Sequence, residues 1–210
     1  GNPNLNPEES YQLDAGIHWG NDRLTIQFDP YLNYFPNYIY MNPTPNYYEG
    51  LQWYYYTQSR VIRCGFELQA DWKILPSLSA EFKGEYLYAE QLSGEKKGYT
   101  LPFSTPWSAD ATLRYSFCRK NVGNEGFVAM NMHVTGRQNN IVPPEKPTPG
   151  YYTLNLTAGK DFAFGERTLR LSLNAENLLN RKYYDHTSFY RLIDVPEPGR
   201  NVALIATFEF

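Results

Sequence analysis

Side chains that commonly carry catalysis are few and scattered in this 210-residue chain. Its histidines, His18, His133 and His186, lie far apart and show none of the spacings of a zinc site. The sequence has no G-x-S-x-G element, no glycine-rich phosphate loop and no cysteine pair at zinc spacing. We therefore expect no catalytic residue, no metal and no cofactor, and we predict that the protein is not an enzyme.

Carboxylates and cysteines complete the inventory of reactive groups. Glu67, Glu81 and Glu85 alternate with apolar residues, which is typical of the polar face of a strand rather than of an acid and base pair. We interpret them as the lining of a solvated interior. Cys64 and Cys118 fall on segments predicted to be non-neighbouring strands, so we expect free thiols rather than a disulfide.

Aromatic side chains are the more informative group, with 19 Tyr, 12 Phe and 4 Trp. They concentrate between positions 47 and 56, where exposed rings can pack on a ring-bearing or chelate ligand while their hydroxyls bond its polar edge. The candidate ligand-binding residues are Tyr47, Tyr48, Trp53, Tyr54, Tyr55 and Tyr56. An alternative stays open, in which 53–56 belong to an aromatic girdle and to a barrel extension above the membrane.

The elements that position these residues show a period of two, which indicates strands. Alternation predicts about nine of them, at 11–19, 24–33, 62–72, 78–88, 107–117, 128–135, 152–158, 169–176 and 200–210. Short turns alternate with four long loops, at 34–56, 90–105, 137–150 and 177–199. Prolines at 36, 43 and 45 predict that the first of these loops contains no central strand. The chain is therefore predicted to be all-β, an antiparallel up-and-down meander.

Rings at the predicted strand ends support a membrane barrel, because Trp and Tyr form girdles at both interfaces. One predicted girdle comprises Trp19, Trp72, Tyr115, Phe117, Phe162 and Phe210. The other comprises Tyr34, Tyr86, Tyr88, Trp107 and Tyr152.

The last strand carries a further signal at its alternate positions. Val202, Leu204, Ala206, Phe208 and Phe210 are all apolar, and the pattern runs to the final aromatic residue of the sequence. Soluble proteins usually protect such an edge with Lys or Pro. The pattern resembles the C-terminal membrane-assembly signal of bacterial outer-membrane β-barrels, which the barrel-assembly machinery reads.

Three further stretches sharpen this resemblance. N-A-E-N-L-L-N-R-K-Y-Y-D at 174–185, P-E-P-G-R at 196–200 and N-P-N-L-N-P-E at 2–8 resemble recurring motifs of TonB-dependent outer-membrane receptors. The resemblance implies that 1–210 form the C-terminal part of a 22-stranded transmembrane barrel. The plug domain and the N-terminal strands are then absent, and since nothing at the N-terminus resembles a signal peptide, we expect a mature protein or a fragment.

The resemblance also implies a function in the outer membrane of a Gram-negative bacterium. That function is energised uptake of a scarce solute, which is an iron-siderophore, haem, a metal, cobalamin or a glycan. The implied partners are outer-membrane lipid, the assembly machinery, TonB through the missing N-terminal part, and a small-molecule or metal-chelate ligand.

Composition leaves one alternative from another class. No apolar run approaches the about 18 residues of a membrane helix, and mean hydropathy is -0.57, so a secreted β-sandwich carbohydrate-binding module also fits. A barrel enzyme is a third and weaker option. The net charge of -3 disfavours nucleic acid as a partner.

Overall fold

The computed structural model describes residues 2–117 and 125–209, which form one antiparallel sheet of ten strands. The strands are β1 (Tyr11–Asp14), β2 (Ile17–Gly20), β3 (Leu24–Tyr48), β4 (Leu51–Leu75), β5 (Leu78–Gln91), β6 (Ser108–Phe117), β7 (Gly126–Thr135), β8 (Tyr151–Phe164), β9 (Arg167–Glu176) and β10 (Asn201–Glu209). A short 3-10 helix spans Phe189–Ile193, and no helix of the described residues is long and apolar enough to cross a membrane. The predicted meander is confirmed, whereas Cys118 and Phe210 lie outside the described residues.

The first predicted strand is divided into β1 and β2, which pair with β3 in one continuous register. The break falls at Ala15, whose backbone N–H donates to the Pro30 carbonyl at 3.1 Å. Pro30 has no N–H to return a bond to this neighbour, so the ladder is interrupted at that point. The predicted strand is therefore right in extent, and with β1 and β2 counted as one segment the described residues form about nine, as predicted.

Two chemically different faces follow from the pairing of the strands. On β9 and β10, Leu204 lies opposite Leu173 and Phe208 opposite Leu169, so apolar positions share one face, the apolar face. Leu204 is 72% exposed, which a soluble core strand would not tolerate but a lipid-facing strand requires.

Polar side chains occupy the opposite, polar face and bond to one another across the strands. Asp110 Oδ2 lies 3.0 Å from His133 Nδ1, and Ser108 Oγ donates to Glu85 Oε1 at 2.7 Å. Along β5 itself, Glu81 pairs with Lys83 at 2.7 Å. These carboxylates lie on the polar face, as the alternation predicts, and their role as the lining of a solvated interior stays a prediction.

Predicted girdle rings of the apolar face lie towards the strand ends, except that Tyr34 lies well inside β3 because that strand continues to Tyr48. Trp19, Trp72 and Tyr115 are 50% to 55% exposed at the end of the short turns. Tyr86, Tyr88, Trp107 and Tyr152 are 37% to 47% exposed towards the other end. Lys160 adds an amine beside the Phe117 and Phe162 rings, at 5.8 and 5.4 Å from their centroids.

The prediction of a long loop at 34–56 is wrong. β3 and β4 remain paired as far as Tyr48 opposite Leu51, and only Glu49 and Gly50 form the turn between them. Their φ angles of 50° and 82° are the pair of positive values that a tight type I′ hairpin turn requires. A spanning strand needs only about 9–11 residues, so these two strands of 25 residues extend far beyond a membrane.

Two features of this hairpin accommodate its prolines: register shifts in the β3–β4 pairing, and a stretch of β3 that pairs on one side only among the described strands. The register shifts between Phe35 and Tyr38, and again between Pro43 and Tyr47, which are the intervals that contain Pro36 and Pro45. Beyond Tyr34, β3 pairs with β4 alone among the described strands. Proline excludes a central strand but not a bulged edge strand, which explains the wrong prediction.

The other three long connections, 92–107, 136–150 and 177–200, are irregular as predicted. Cys64 on β4 is a free thiol.

Candidate functional site

The six candidate rings lie together near the tip of the β3–β4 hairpin, on regular strands rather than in a loop. Tyr47 and Tyr48 end β3, and 53–56 belong to β4. The Tyr48 and Trp53 ring centroids are 6.4 Å apart. Four rings are more than half exposed: Tyr47 at 63%, Tyr48 at 61%, Trp53 at 56% and Tyr56 at 51%. Their exposure leaves large amphipathic surfaces free to meet a ligand.

Tyr54 and Tyr55 are held by neighbours within the protein. The Tyr54 ring lies 5.9 Å from the Phe103 ring, and burial together with the nearby Glu145 carboxylate raises its pKa to about 12. The Tyr55 hydroxyl accepts a hydrogen bond from Asn42 Nδ2 at 2.6 Å and donates one to Glu95 at 3.1 Å. Both side chains therefore make contacts within the protein, while Tyr55 remains 43% exposed.

A small core anchors the lower part of the hairpin. It consists of Tyr40, Val61, Ala89 and Leu101, with Phe35 and Tyr38 packed against it. The Tyr40 hydroxyl donates to Gln91 Oε1 at 2.6 Å, and Gln91 Nε2 donates to the Thr100 carbonyl at 2.7 Å. Because it is buried, Tyr40 has a pKa raised to about 12 and stays protonated as a donor. The connection 92–107 is thereby fixed against the hairpin.

A buried ion pair joins the three irregular connections to each other. The Glu145 side chain is 0% exposed, and its Oε1 accepts from Arg191 Nη2 at 2.6 Å and from the Phe103 backbone N–H at 3.0 Å. The Arg191 Nε donates to the His186 carbonyl at 2.6 Å, and its guanidinium lies 5.0 Å from the Phe103 ring centroid. We call Glu145, Arg191, His186 and Phe103 the loop cluster.

His186 is the buried titratable base of this loop cluster. Its Nδ1 lies 3.0 Å from Thr148 Oγ1, while its Nε2 has no hydrogen-bond partner and lies 3.8 Å from Glu145 Oε1. Burial and the adjacent Arg191 charge lower its pKa to about 4, so the ring is neutral at pH 7. Within the described residues, no group of three or more His, Cys, Asp or Glu side chains is arranged to hold a metal ion.

Sequence reasoning missed the loop cluster. Glu145 and Arg191 are 46 positions apart and lie in different connections, so no spacing in the sequence indicates their contact. The only trace in the sequence is a set of charged and aromatic residues inside stretches that lack periodicity.

The candidate membrane-assembly residues Val202, Leu204, Ala206 and Phe208 share the apolar face of β10. Their side chains are aligned as the pattern predicts, while Phe210 lies outside the described residues.

Comparison with known proteins agrees with this architecture. Residues 1–178 match the family described as TonB dependent receptor-like, beta-barrel. The solved copper transporter OprC is 19% identical with a TM-score of 0.79, over 95% of this chain and 31% of its own. BauA, the ferric preacinetobactin receptor from Acinetobacter baumannii, is 14% identical with a TM-score of 0.73, over 97% of this chain and 30% of its own. The FrpB iron transporter from Neisseria meningitidis (F3-3 variant) is 15% identical with a TM-score of 0.70, over 96% of this chain and 30% of its own.

The fold is the wall of a transmembrane barrel, shared with solved receptors and transporters. The chain belongs to the TonB-dependent receptor family, whose barrels lie in the outer membrane of Gram-negative bacteria. This assignment replaces the β-sandwich alternative, and at the family level the relatives are receptors and transporters rather than enzymes. The chain spans about three tenths of the length of the solved proteins named above.

Proposed function

We propose that this chain is the C-terminal part of a receptor barrel that takes up a scarce solute across the outer membrane, energised through TonB. The observation that carries the proposal is the group of exposed rings at the end of a hairpin that projects beyond the membrane-spanning wall. TonB engages the N-terminal part of the intact receptor in this proposal. The last strand is the contact for the barrel-assembly machinery.

The solute belongs to one of the classes that suit such a receptor: an iron-siderophore, haem, a metal ion, cobalamin or a glycan. The names of the structural neighbours refer to copper, to iron and to ferric preacinetobactin. We favour a metal-containing solute because aromatic rings and their hydroxyls suit the mixed apolar and polar surface of a chelate.

Growth on medium that supplies one solute class at a time tests this function. A strain lacking the intact receptor is compared with its parent on limiting medium, where each solute class is supplied alone. We expect the mutant to fail on one class, and the intact receptor to restore growth only when TonB is present. Equal growth of the two strains on every source would contradict the proposal.

Ring replacement then tests the contact surface. The change Trp53→Ala removes an exposed ring, and we expect it to weaken binding of the solute so identified by about 1 kcal/mol or more if the ring is buried by ligand. Tyr54→Ala is the matched comparison, because that ring packs inside the protein on Phe103 and its loss affects loop order instead. Binding by the Trp53→Ala receptor equal to wild type, at normal surface expression, would show that the hairpin is scaffold.

A further inference from the structure

An open groove of about 450 Å³ crosses the apolar face of the sheet, towards the end that carries the short turns. Its two polar residues, Glu81 and Thr112, turn their side chains to the polar face, where they bond Lys83 and Asn131. The side chains that line the groove on the apolar face are therefore all apolar. They include Trp72, Ala80, Phe82, Ala111, Leu113 and Met130.

Alternation of large and small side chains across the strands forms this groove. Ala111 lies between Phe82 and Met132 on the neighbouring strands, so its short methyl leaves a depression between two long side chains. Ala80 lies beside Trp72 in the same way. The groove lies on β3 to β8, within the sheet rather than at either edge, so it opens to the hydrocarbon of the membrane. An acyl chain in the depression makes more van der Waals contacts than one on a flat wall.

Lys160 places a positive charge on the same apolar face, where it lies opposite Leu171 and Gly126. A charge on a lipid-facing wall is costly unless it reaches the interface. A Cβ at Gly126 would clash with the Phe117 ring and come within 3.1 Å of the Lys160 Cδ atom, so the lysine stem packs over this glycine. The amine lies 5.8 and 5.4 Å from the centroids of the Phe117 and Phe162 rings. Its position is therefore fixed by packing.

The carboxylate next to Lys160 in the chain is engaged on the other face of the sheet. Asp161 accepts hydrogen bonds from Arg170 Nε and Nη2, at 2.9 and 3.1 Å, on the polar face. Along β7, Gly126 beside the lysine is four residues from Met130 in the groove, which is about 13 Å at about 3.3 Å per residue. This distance fits within one leaflet, whose hydrocarbon is about 15 Å thick, half of the bilayer core.

The short-turn end of such a barrel faces the periplasm, so the amine lies at the level of the periplasmic headgroups. We infer that the wall binds one glycerophospholipid of this leaflet, with its phosphate at Lys160 and one acyl chain in the groove. The ammonium pairs with the phosphate as a point charge, and the apolar walls cover the chain. This site requires only that the wall lies in the membrane, so it is independent of the solute that the receptor takes up.

The test uses the intact receptor, delipidated in mild detergent and titrated with lipid under native mass spectrometry. One probe is phosphatidylglycerol, and the other is a diacylglycerol with the same chains but no phosphate. We expect one phosphatidylglycerol to bind per wild-type receptor, about tenfold or more tightly than the diacylglycerol. Lys160→Gln should lose about tenfold in affinity for phosphatidylglycerol and leave diacylglycerol binding unchanged. Ala111→Leu should weaken both probes because it fills the groove.

Each variant has a matched control. Lys182→Gln removes another amine near a ring, 5.6 Å from the Tyr184 centroid in the connection 177–200. Ala109→Leu enlarges an alanine two positions from Ala111 on the same face of β6, outside the groove. We expect both controls to bind the two probes as wild type does.

Equal affinity of wild type for the two probes, or unchanged phosphatidylglycerol binding by either the Lys160→Gln or the Ala111→Leu receptor, would overturn the inference. The same loss in a variant and its control would overturn it as well. A receptor recovered as a pair of barrels that Ala111→Leu separates would assign the groove to a second copy of the chain instead.

Discussion

The β3–β4 hairpin and the loop cluster are both ordered, but different interactions hold them in place. The hairpin is held by a backbone ladder that runs from Leu24 opposite Trp72 to Tyr48 opposite Leu51. The loop cluster has few backbone hydrogen bonds between strands. It depends instead on groups that bond to Glu145. A segment held by backbone hydrogen bonds keeps its side chains available for other contacts. A segment held by side-chain contacts has those side chains already engaged. This difference explains how the hairpin can expose Tyr47, Tyr48 and Trp53 while the loops bury Glu145 and Arg191.

The strongest test of this contrast removes the centre of the loop cluster. Glu145→Ala leaves Arg191 buried without its partner, and breaking such a pair costs about 3–5 kcal/mol. We expect faster amide hydrogen exchange in all three irregular connections of the intact receptor, while the tip of the hairpin exchanges as in wild type. The control Glu95→Ala removes an exposed carboxylate that accepts one hydrogen bond from Tyr55. Equal exchange in both variants would show that the loops do not depend on Glu145.

Acidification tests the same cluster through His186. Its pKa of about 4 in the folded protein lies below the ordinary value of 6.5, so the unfolded loops bind the proton more readily. The stability that neutral His186 confers is complete above about pH 6.5 and is lost as the pH falls towards 4, by about 2 kcal/mol at pH 5. Proteolytic nicking of the loops should therefore increase between pH 7 and pH 5.

The His186→Asn variant supplies the control for this pH effect. Its side chain can still bond Thr148 but does not titrate, so nicking should depend much less on pH in this range. The same pH dependence in wild type and variant would assign the effect to another group.

The smallest effect is expected in the turn of the hairpin, where the backbone conformation of Glu49 and Gly50 determines stability. Gly50 has a φ of 82° and open space around it, so Gly50→Ala costs only the left-handed strain of about 1–2 kcal/mol. Glu49→Gly should have the opposite sign, because it relieves a positive φ of 50°. Amide exchange at Tyr47 and Tyr48 measures both changes. Opposite signs support backbone control of the hairpin, and identical responses contradict it.

Sequence alone predicted the spanning wall well because period two is imposed on it by two different environments. Leu204 and Leu173 meet on the apolar face, while Asp110 and His133 meet on the polar face. The hairpin beyond Tyr34 lacks this regular alternation, because the register shifts in the intervals that contain Pro36 and Pro45. Its strands were consequently predicted to be a loop.

The parts of the site that the sequence missed depend on contacts between distant residues. Glu145 and Arg191 belong to different connections, and only the fold brings them together beside Phe103. The ring cluster at the tip was visible because its members are close in sequence. Their division into exposed and packed rings followed from Phe103, Asn42 and Glu95.

Cysteine labelling in intact cells tests whether the β3–β4 hairpin projects from the outer surface of the membrane. The intact receptor, with Cys64 and Cys118 replaced by Ala, carries either Tyr48→Cys at the hairpin tip or Ser77→Cys in the short β4–β5 turn. We predict that a membrane-impermeant maleimide labels the Tyr48→Cys receptor in intact cells and the Ser77→Cys receptor only after the outer membrane is permeabilised. Labelling of the Ser77→Cys receptor in intact cells, with the Tyr48→Cys receptor protected, would contradict the account.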